Sequence, residues 1–391
     1  MTRSLLVAGV FFSVVFVEGC VGQPEAHPPG EPEAIPSSTP SFSMILADVG
    51  FAGPGSVLHD PAEDVYLVAN ANGGLMDRDG NGFISRVSPA GRILDLKWLD
   101  GSVPGVTLHA PRGMAILSDT LFVADIDCLR RFHRSTGQSF RETCLDPTSV
   151  PGDEGGDVVE KATALADVAA TPWGDVFFSE VDSSLAVGAV YLMKSMAEVP
   201  QILATADGTL LEGDALGGPK GLASDEEGLL VATFGSGELF RVTTSGERIQ
   251  LLEASELKLH GVLSLGDRGA LVSSWGDSAV YRVAPDGSLS VVVSPVATPA
   301  AMGYDVSRGR LLIPLLATDQ VLVLSIPPVP AGLEGPAGRY PVAPGGRTLA
   351  RRAGLISPGR PDPGPAGGID KSGPWGRAQP SRAQSRSLTQ V

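Results

Sequence analysis

"GPGSVLHDPAEDVYLVAN" (53–70) places two apolar strands around a polar turn, and five later stretches repeat the phrase. They are "APRGMAILSDTLFVADID" (110–127), "ALADVAATPWGDVFFSEV" (164–181), "GPKGLASDEEGLLVATFG" (218–235), "KLHGVLSLGDRGALVSSW" (258–275) and "TPAAMGYDVSRGRLLIPL" (298–315). Each apolar run is short and stops at Asp, Gly or Pro, as expected of buried strands joined by tight turns. Most are followed by a second hairpin, as in "GFISRVSPAGRIL" (82–94), "CLRRFHRSTGQSF" (128–140), "ELFRVTTSGERIQLL" (238–252) and "AVYRVAPDGSLSVVV" (279–293). Four strands per unit, repeated six times, predict an all-β, six-bladed β-propeller.

The strand count also predicts how the ring closes. The last unit supplies "RLLIPLL" (310–316) and "VLVLSI" (321–326), then runs into a Pro-rich stretch and is left one strand short. "FSMILADV" (42–49), ahead of the first unit, is expected to be the missing outer strand, because pairing the two ends in one blade removes a free sheet edge. Composition agrees: 49 glycines and 32 prolines favour turns over long helices. A net charge of -15 argues against a nucleic-acid partner, which needs a basic face to neutralise phosphates.

The stretches "GFAGPGSVLHDPAEDVYLVANANG" (50–73), "GNGFISRVSPAGRILDLKWLDG" (80–101) and "APRGMAILSDTLFVADIDCLRRF" (110–132) resemble the senescence-marker-protein and gluconolactonase superfamily of six-bladed propellers, in particular its secreted, poorly characterised branch. The resemblance spans roughly 49–326. It implies a divalent metal in the central channel, held by one Glu, two Asn and one Asp at the starts of inner strands, and a lactonase activity that uses this metal to polarise a carbonyl.

Aligning the six phrases on their first strand gives one column: Gly55, Arg112, Ala166, Lys220, His260 and Ala300. These residues are expected to ring one mouth of the channel. Carried over position by position, Gly55 stands where the family Glu would be, Ala166 and Lys220 where the Asn residues would be, and His260 where the Asp would be. A cation, an imidazole and two residues without donors do not suit a hard metal, so no cofactor is expected in the channel. Arg112, Lys220 and His260 instead suggest a site for a small carboxylate or phosphate, with Asp167 as the one nearby carboxylate. Asp167 is expected to pair with Lys220 or Arg112; a second reading has the cations reaching solvent and pairing with Asp125, Asp127 or Asp167. Three function classes stay open: a binding module for a small anion or an envelope protein, a metal-dependent lactonase or esterase, and an inert structural propeller.

In "GLMDRDGNGFISRV" (74–87), Asp77, Asp79, Asn81 and Gly82 match the first half of a calcium loop. The twelfth position is Ser88 rather than Glu, and a strand pattern follows where a helix is needed. The stretch reads as the hairpin between two strands of the first blade, far from the channel, either a plain turn or a peripheral structural calcium site. Trp173 and Trp275 read as turn and rim residues. No H-E-x-x-H, G-x-S-x-G or C-x-x-C occurs.

The ends carry expectations about location. Arg3 and the apolar run "LLVAGVFFSVV" (5–15), ending before Cys20, resemble a bacterial lipoprotein signal over residues 1–20 with Cys20 as the lipidated residue, although Glu18 stands where a small residue is usual; a plain secretory signal is the alternative. Val21 is not an Asp retention residue, which points to the outer membrane. Residues 21–41 read as a Pro, Glu and Ser-rich tether, 42–326 as the propeller, and 327–391 as a disordered Pro, Gly and Arg-rich tail. In such an oxidising compartment Cys128 and Cys144, on either side of one hairpin turn, are disulfide candidates, with two buried thiols as the alternative.

Overall fold

The computed structural model describes residues 40–145, 163–182, 185, 187–194, 200–203, 209–213 and 216–326. The expected signal, Cys20, the tail and all of the tether but residues 40 and 41 lie outside them, and Ser41, expected in the tether, belongs to the first strand of the propeller. The described strands form six antiparallel sheets, the blades of a propeller. Blade one runs outward through Pro54–Asp60, Val65–Asn70, Phe83–Val87 and Ile93–Asp100, and blade two through Pro111–Leu117, Thr120–Asp125, Cys128–His133 and Ser139–Cys144. Blade three has Thr163–Ala170, Val176–Asp182 and Gly188–Met193, with the short strands Gln201–Ile202 and Glu212–Gly213 sharing its outer edge. Blades four and five begin with Pro219–Asp225 and Leu259–Ser264.

Blade six is built from both ends of the described chain. Gly303–Asp305, Arg310–Leu315 and Gln320–Ser325 are its inner three strands, and Ser41–Leu46 is its outermost. The ladder pairs Ser41 with Ser325 and Leu46 with Val321, so the expected closure is present, with the strand ending at Leu46 rather than Val49.

The second strand of each blade is buried on both faces, which explains its continuous apolar run. Period-two alternation sends its side chains to the two neighbouring blades in turn. In blade one, Val65, Leu67 and Ala69 pack with Ile116, Leu121 and Val123 of blade two, whereas Tyr66 and Val68 pack with Leu312 and Val323 of blade six. Each of the six blade interfaces has such a cluster.

Aspartates at the ends of three inner strands explain the recurring Asp of the repeat. Asp60 accepts from the backbone N–H groups of Ala62 (3.0 Å) and Glu63 (3.2 Å) in its own turn, and from Arg134 Nε of blade two (3.1 Å). Asp225 likewise accepts from Glu227 N (2.9 Å) and also holds Ser264 of blade five. Asp305 accepts from Arg308 N (3.1 Å) and from the Tyr66 hydroxyl of blade one (2.7 Å). One carboxylate thus fixes a turn and ties it to a neighbour.

Cys128 and Cys144 face each other across the outer pair of blade two and form a disulfide with a sequence separation of 16. By the loop-closure argument a bridge of this span stabilises by roughly 3 kcal/mol. Cys128→Ser with Cys144→Ser should therefore lower the denaturant midpoint and, because the unbridged chain unfolds to a more expanded state, steepen the slope; an unchanged midpoint would show that the bridge adds nothing. Deleting Ser41–Leu46 should be far more severe and abolish cooperative melting, as checked by calorimetry, because it reopens the ring.

Candidate functional site

The ring column sits at irregularities in the inner strands. Strand register shifts between Pro54 and Ser56, Pro111 and Met114, Leu165 and Val168, Pro219 and Gly221, and Leu259 and Val262. Five of the six ring residues, Gly55, Arg112, Ala166, Lys220 and His260, fall inside these shifts. An extra residue at a bulge leaves the ladder and re-aims its side chain, which is how a strand that otherwise alternates between two packed faces can present a residue to the axis. The glycine that follows in blades four and five is needed because neighbouring backbones touch there: a Cβ on Gly221 would lie 2.7 Å from the His260 carbonyl oxygen, and one on Gly261 would lie 2.8 Å from that of Ala300.

Arg112, Lys220 and His260 come together. Arg112 is 9% exposed and Lys220 5%. Arg112 donates through Nη1 to the Leu165 carbonyl (3.3 Å) and through Nη2 to the Leu75 carbonyl, with Met76 Sδ at 3.7 Å. Its Nε is buried without an acceptor, and so is His260 Nδ1 without a partner. The Lys220 ammonium lies over two aromatic rings, 4.9 Å from the centre of Phe234 and 5.4 Å from that of Trp275. Trp275 also stacks on His260 (5.0 Å, 21°), meets Phe234 edge-on, and is fixed by its Nε1 donating to the Pro299 carbonyl (2.9 Å). Among the described residues no carboxylate lies within ion-pair distance of these three groups.

Their titration reflects that crowding. Burial, and secondarily the Arg112 charge, bring Lys220 down to about 7. Burial brings Arg112 down to about 10. Burial, then Lys220 and Arg112, hold His260 well below the ordinary imidazole range, so it is neutral at pH 7. The site therefore presents one firm cation, one ammonium near its titration point and one neutral imidazole.

Asp167 is placed differently from the expectation. Its Oδ1 accepts from Val168 N and its Oδ2 from Leu222 N, both at 2.9 Å, and it makes no ion pair with Lys220 or Arg112. It bridges the inner strands of blades three and four, because the backbone N–H groups freed by the bulges lie nearer than either cation. Burial raises it to about 7 against the effect of these two hydrogen bonds. Neither Asp125 nor Asp127 forms an ion pair with the ring, although the Asp125 charge partly offsets the effect of burial on Arg112: Asp125 accepts from His109 N, Ala110 N and Arg130 Nε, and Asp127 pairs with Arg78.

The calcium-like stretch is the connection between the second and third strands of blade one, but it is not remote from the channel, since Leu75 and Met76 reach Arg112. The reason is the length of this loop, which carries its tip inward across the mouth. Asp77 accepts from Gly74 N (2.9 Å), and Asp79 accepts from Asn81 N (3.3 Å) and Asn81 Nδ2 (2.5 Å), so these side chains organise the turn itself. Among the described residues no group of three or more His, Cys, Asp or Glu is arranged to hold a metal.

The column of strand starts does not contain Phe234 or Trp275. Both occupy the residue just past the second strand, after Thr233 and Ser274, in adjacent blades. The signal for them is at the strand ends: this position is aromatic in blades four and five, whereas blades one and two have Ala71 and Ile126 there. Trp275 is thus part of the candidate site and not only a rim residue.

The metal that the family resemblance implies is not matched by this ring. Gly55 and Ala166 offer no side-chain donor, Lys220 would repel a cation, and His260 is a lone nitrogen donor stacked on Trp275. A hard divalent cation would find none of the oxygen ligands it needs at these positions.

No family model matches the chain, and no curated protein matches it. Among solved structures the fold is similar to a calcium-binding protein, regucalcin, from Agrobacterium tumefaciens, at 15% identity and a TM-score of 0.53 over 73% of this chain and 94% of that one. It is also similar to a gluconolactonase from Xanthomonas campestris, at 17% identity and a TM-score of 0.51 over 74% and 95% of the two chains. Identities this low carry the fold alone: the chain is a six-bladed β-propeller whose structural neighbours are of the regucalcin and gluconolactonase type.

Proposed function

We propose that this propeller is a binding module that takes a small anion, a carboxylate or phosphate, at the channel mouth formed by Arg112, Lys220 and His260, and that the chain is held at the cell envelope through Cys20. The observation that carries the anion reading is the buried Arg112 Nε without an acceptor, beside an ammonium that has aromatic neighbours but no carboxylate among the described residues. Buried donors of this kind are costly unless a ligand supplies an acceptor. The envelope reading rests on the apolar run ending before Cys20. A lactonase of the gluconolactonase type is the weaker reading, since its chemistry needs oxygen donors that the ring lacks.

Gluconate or inorganic phosphate should raise the melting temperature of the purified chain. Removing one charge-assisted partner, by Arg112→Ala or Lys220→Ala, should weaken binding by about ten- to a hundredfold. If neither anion binds, or if both variants bind as the parent does, the site is not an anion site. The binding should also depend on pH. A bound anion raises the Lys220 pKa from about 7, so binding takes up a proton: affinity is full below that value and declines as pH rises through it. Titration calorimetry on either side of neutrality checks the sign.

A further inference from the structure

The channel continues beyond the ring as a cavity of about 570 Å³. Its wall starts one or two residues after the ring positions, with Ser56, Met114, Asp167, Leu222 and Val262, and runs down the inner strands to the turn residues Asp64, Ser307 and Arg308. It therefore opens on the face opposite the ring. Its volume falls within the roughly 300–1,000 Å³ usual for small-molecule sites. The side wall is apolar, formed by residues such as Ile116, Ala169, Ala223, Leu263 and Met302.

The charges in this cavity are few, and they leave it without excess positive charge. At the rim Arg308 is already neutralised: its two terminal nitrogens fork onto Asp64 at 2.8 and 2.7 Å, and it also pairs with Asp305 at 3.0 Å. His59 lies against the same two carboxylates, 3.4 Å from Asp64 and 3.7 Å from Asp305. One cation thus faces two acids, and the rim has no excess positive charge. At the closed end Asp167 is the one ionisable group of the lining. Each of its oxygens accepts a single backbone N–H, and no cation pairs with it among the described residues. A carboxylate oxygen has room for more than one donor, so two acceptor positions are left.

We propose that this cavity is a second binding site, distinct from the ring, for a small apolar amine whose ammonium pairs with Asp167 and whose hydrocarbon lies along the wall. The chemistry selects the class. An apolar body matches the wall, a cation matches the unpaired carboxylate, and an anion would meet Asp167 inside and the two acids at the rim. The raised titration of Asp167 agrees with this, because burial there penalises a carboxylate that lacks a positive partner. A role restricted to bracing blades three and four would give Asp167 no influence on the charge of a bound molecule.

The test uses three probes of one length, hexylamine, hexanol and hexanoate, titrated calorimetrically into the purified chain at about pH 8, where the carboxylate is ionised and the amine still protonated. Hexylamine should bind more tightly than hexanol by about tenfold or more, and hexanoate should not bind. Asp167→Asn should remove the preference for amine over alcohol, and Ala223→Phe, which fills the wall and leaves Asp167 in place, should abolish binding of both. Equal affinity for amine and alcohol, a preference for hexanoate, an amine preference that survives Asp167→Asn, or no amine binding by the folded parent would each overturn the proposal. If Asp167→Asn does not fold, the parent's ranking of the three probes and the Ala223→Phe result decide it.

Discussion

Everything in this molecule depends on the pairing of Ser41–Leu46 with Gln320–Ser325. A blade buries its faces only when it has a neighbour on each side, so the six interface clusters hold together as a circle and not as a row. The pairing turns a row into a circle while adding little core of its own: Phe42 and Ile45 on the closing strand are exposed, and only Leu46, with Met44 against it, joins the cluster between blades six and one. Its contribution is to fix which blades are adjacent. Tyr66 of blade one can then reach Asp305 of blade six, and Val57 N can donate to the Ala301 carbonyl (3.2 Å) across the seam.

With the circle closed, inner strands crowd at the axis, and the crowding shapes both ends of the channel. Gly221 and Gly261 let adjacent backbones touch, and Ser179 and Ser273 donate to the Lys220 and Ala300 carbonyls of the next blades at 3.1 and 3.0 Å. The same constriction forces the bulges that release Arg112, Lys220 and His260 toward one mouth and Asp167 toward the other side. Basic groups and the isolated acid are therefore neighbours in sequence and in space, yet they face different compartments of one channel. Their pKa shifts share the cause of burial and differ in sign because burial disfavours whichever form is charged.

The fold was legible in the sequence because a propeller repeats itself: six phrases, each with a strand, an Asp or Gly turn and a second strand, need only be counted. The ring residues were legible for the same reason, as a column at fixed register. Three features escaped that reading. Asp167 could be placed near the ring, but not its direction, since the competing Leu222 N–H comes from another blade. Phe234 and Trp275 lie at the far end of the hairpin, out of the column used for alignment. The reach of Leu75 to Arg112 depends on the path of a loop, which carries no periodicity to read.

The closing ladder also has a mechanical side. Ser41 stands opposite Ser325, so the chain enters and leaves the disc at the same end of the same pair of strands. A pull that separated those two points would load the hydrogen bonds one after another, beginning with the Ser41 and Ser325 rungs, in the way a zipper opens. Pulled together in one direction against the disc, the two strands would instead share the load along their whole length. The mechanical strength of the domain is then set by the direction in which its two flanking segments are drawn, and its weakest direction is the one that parts them.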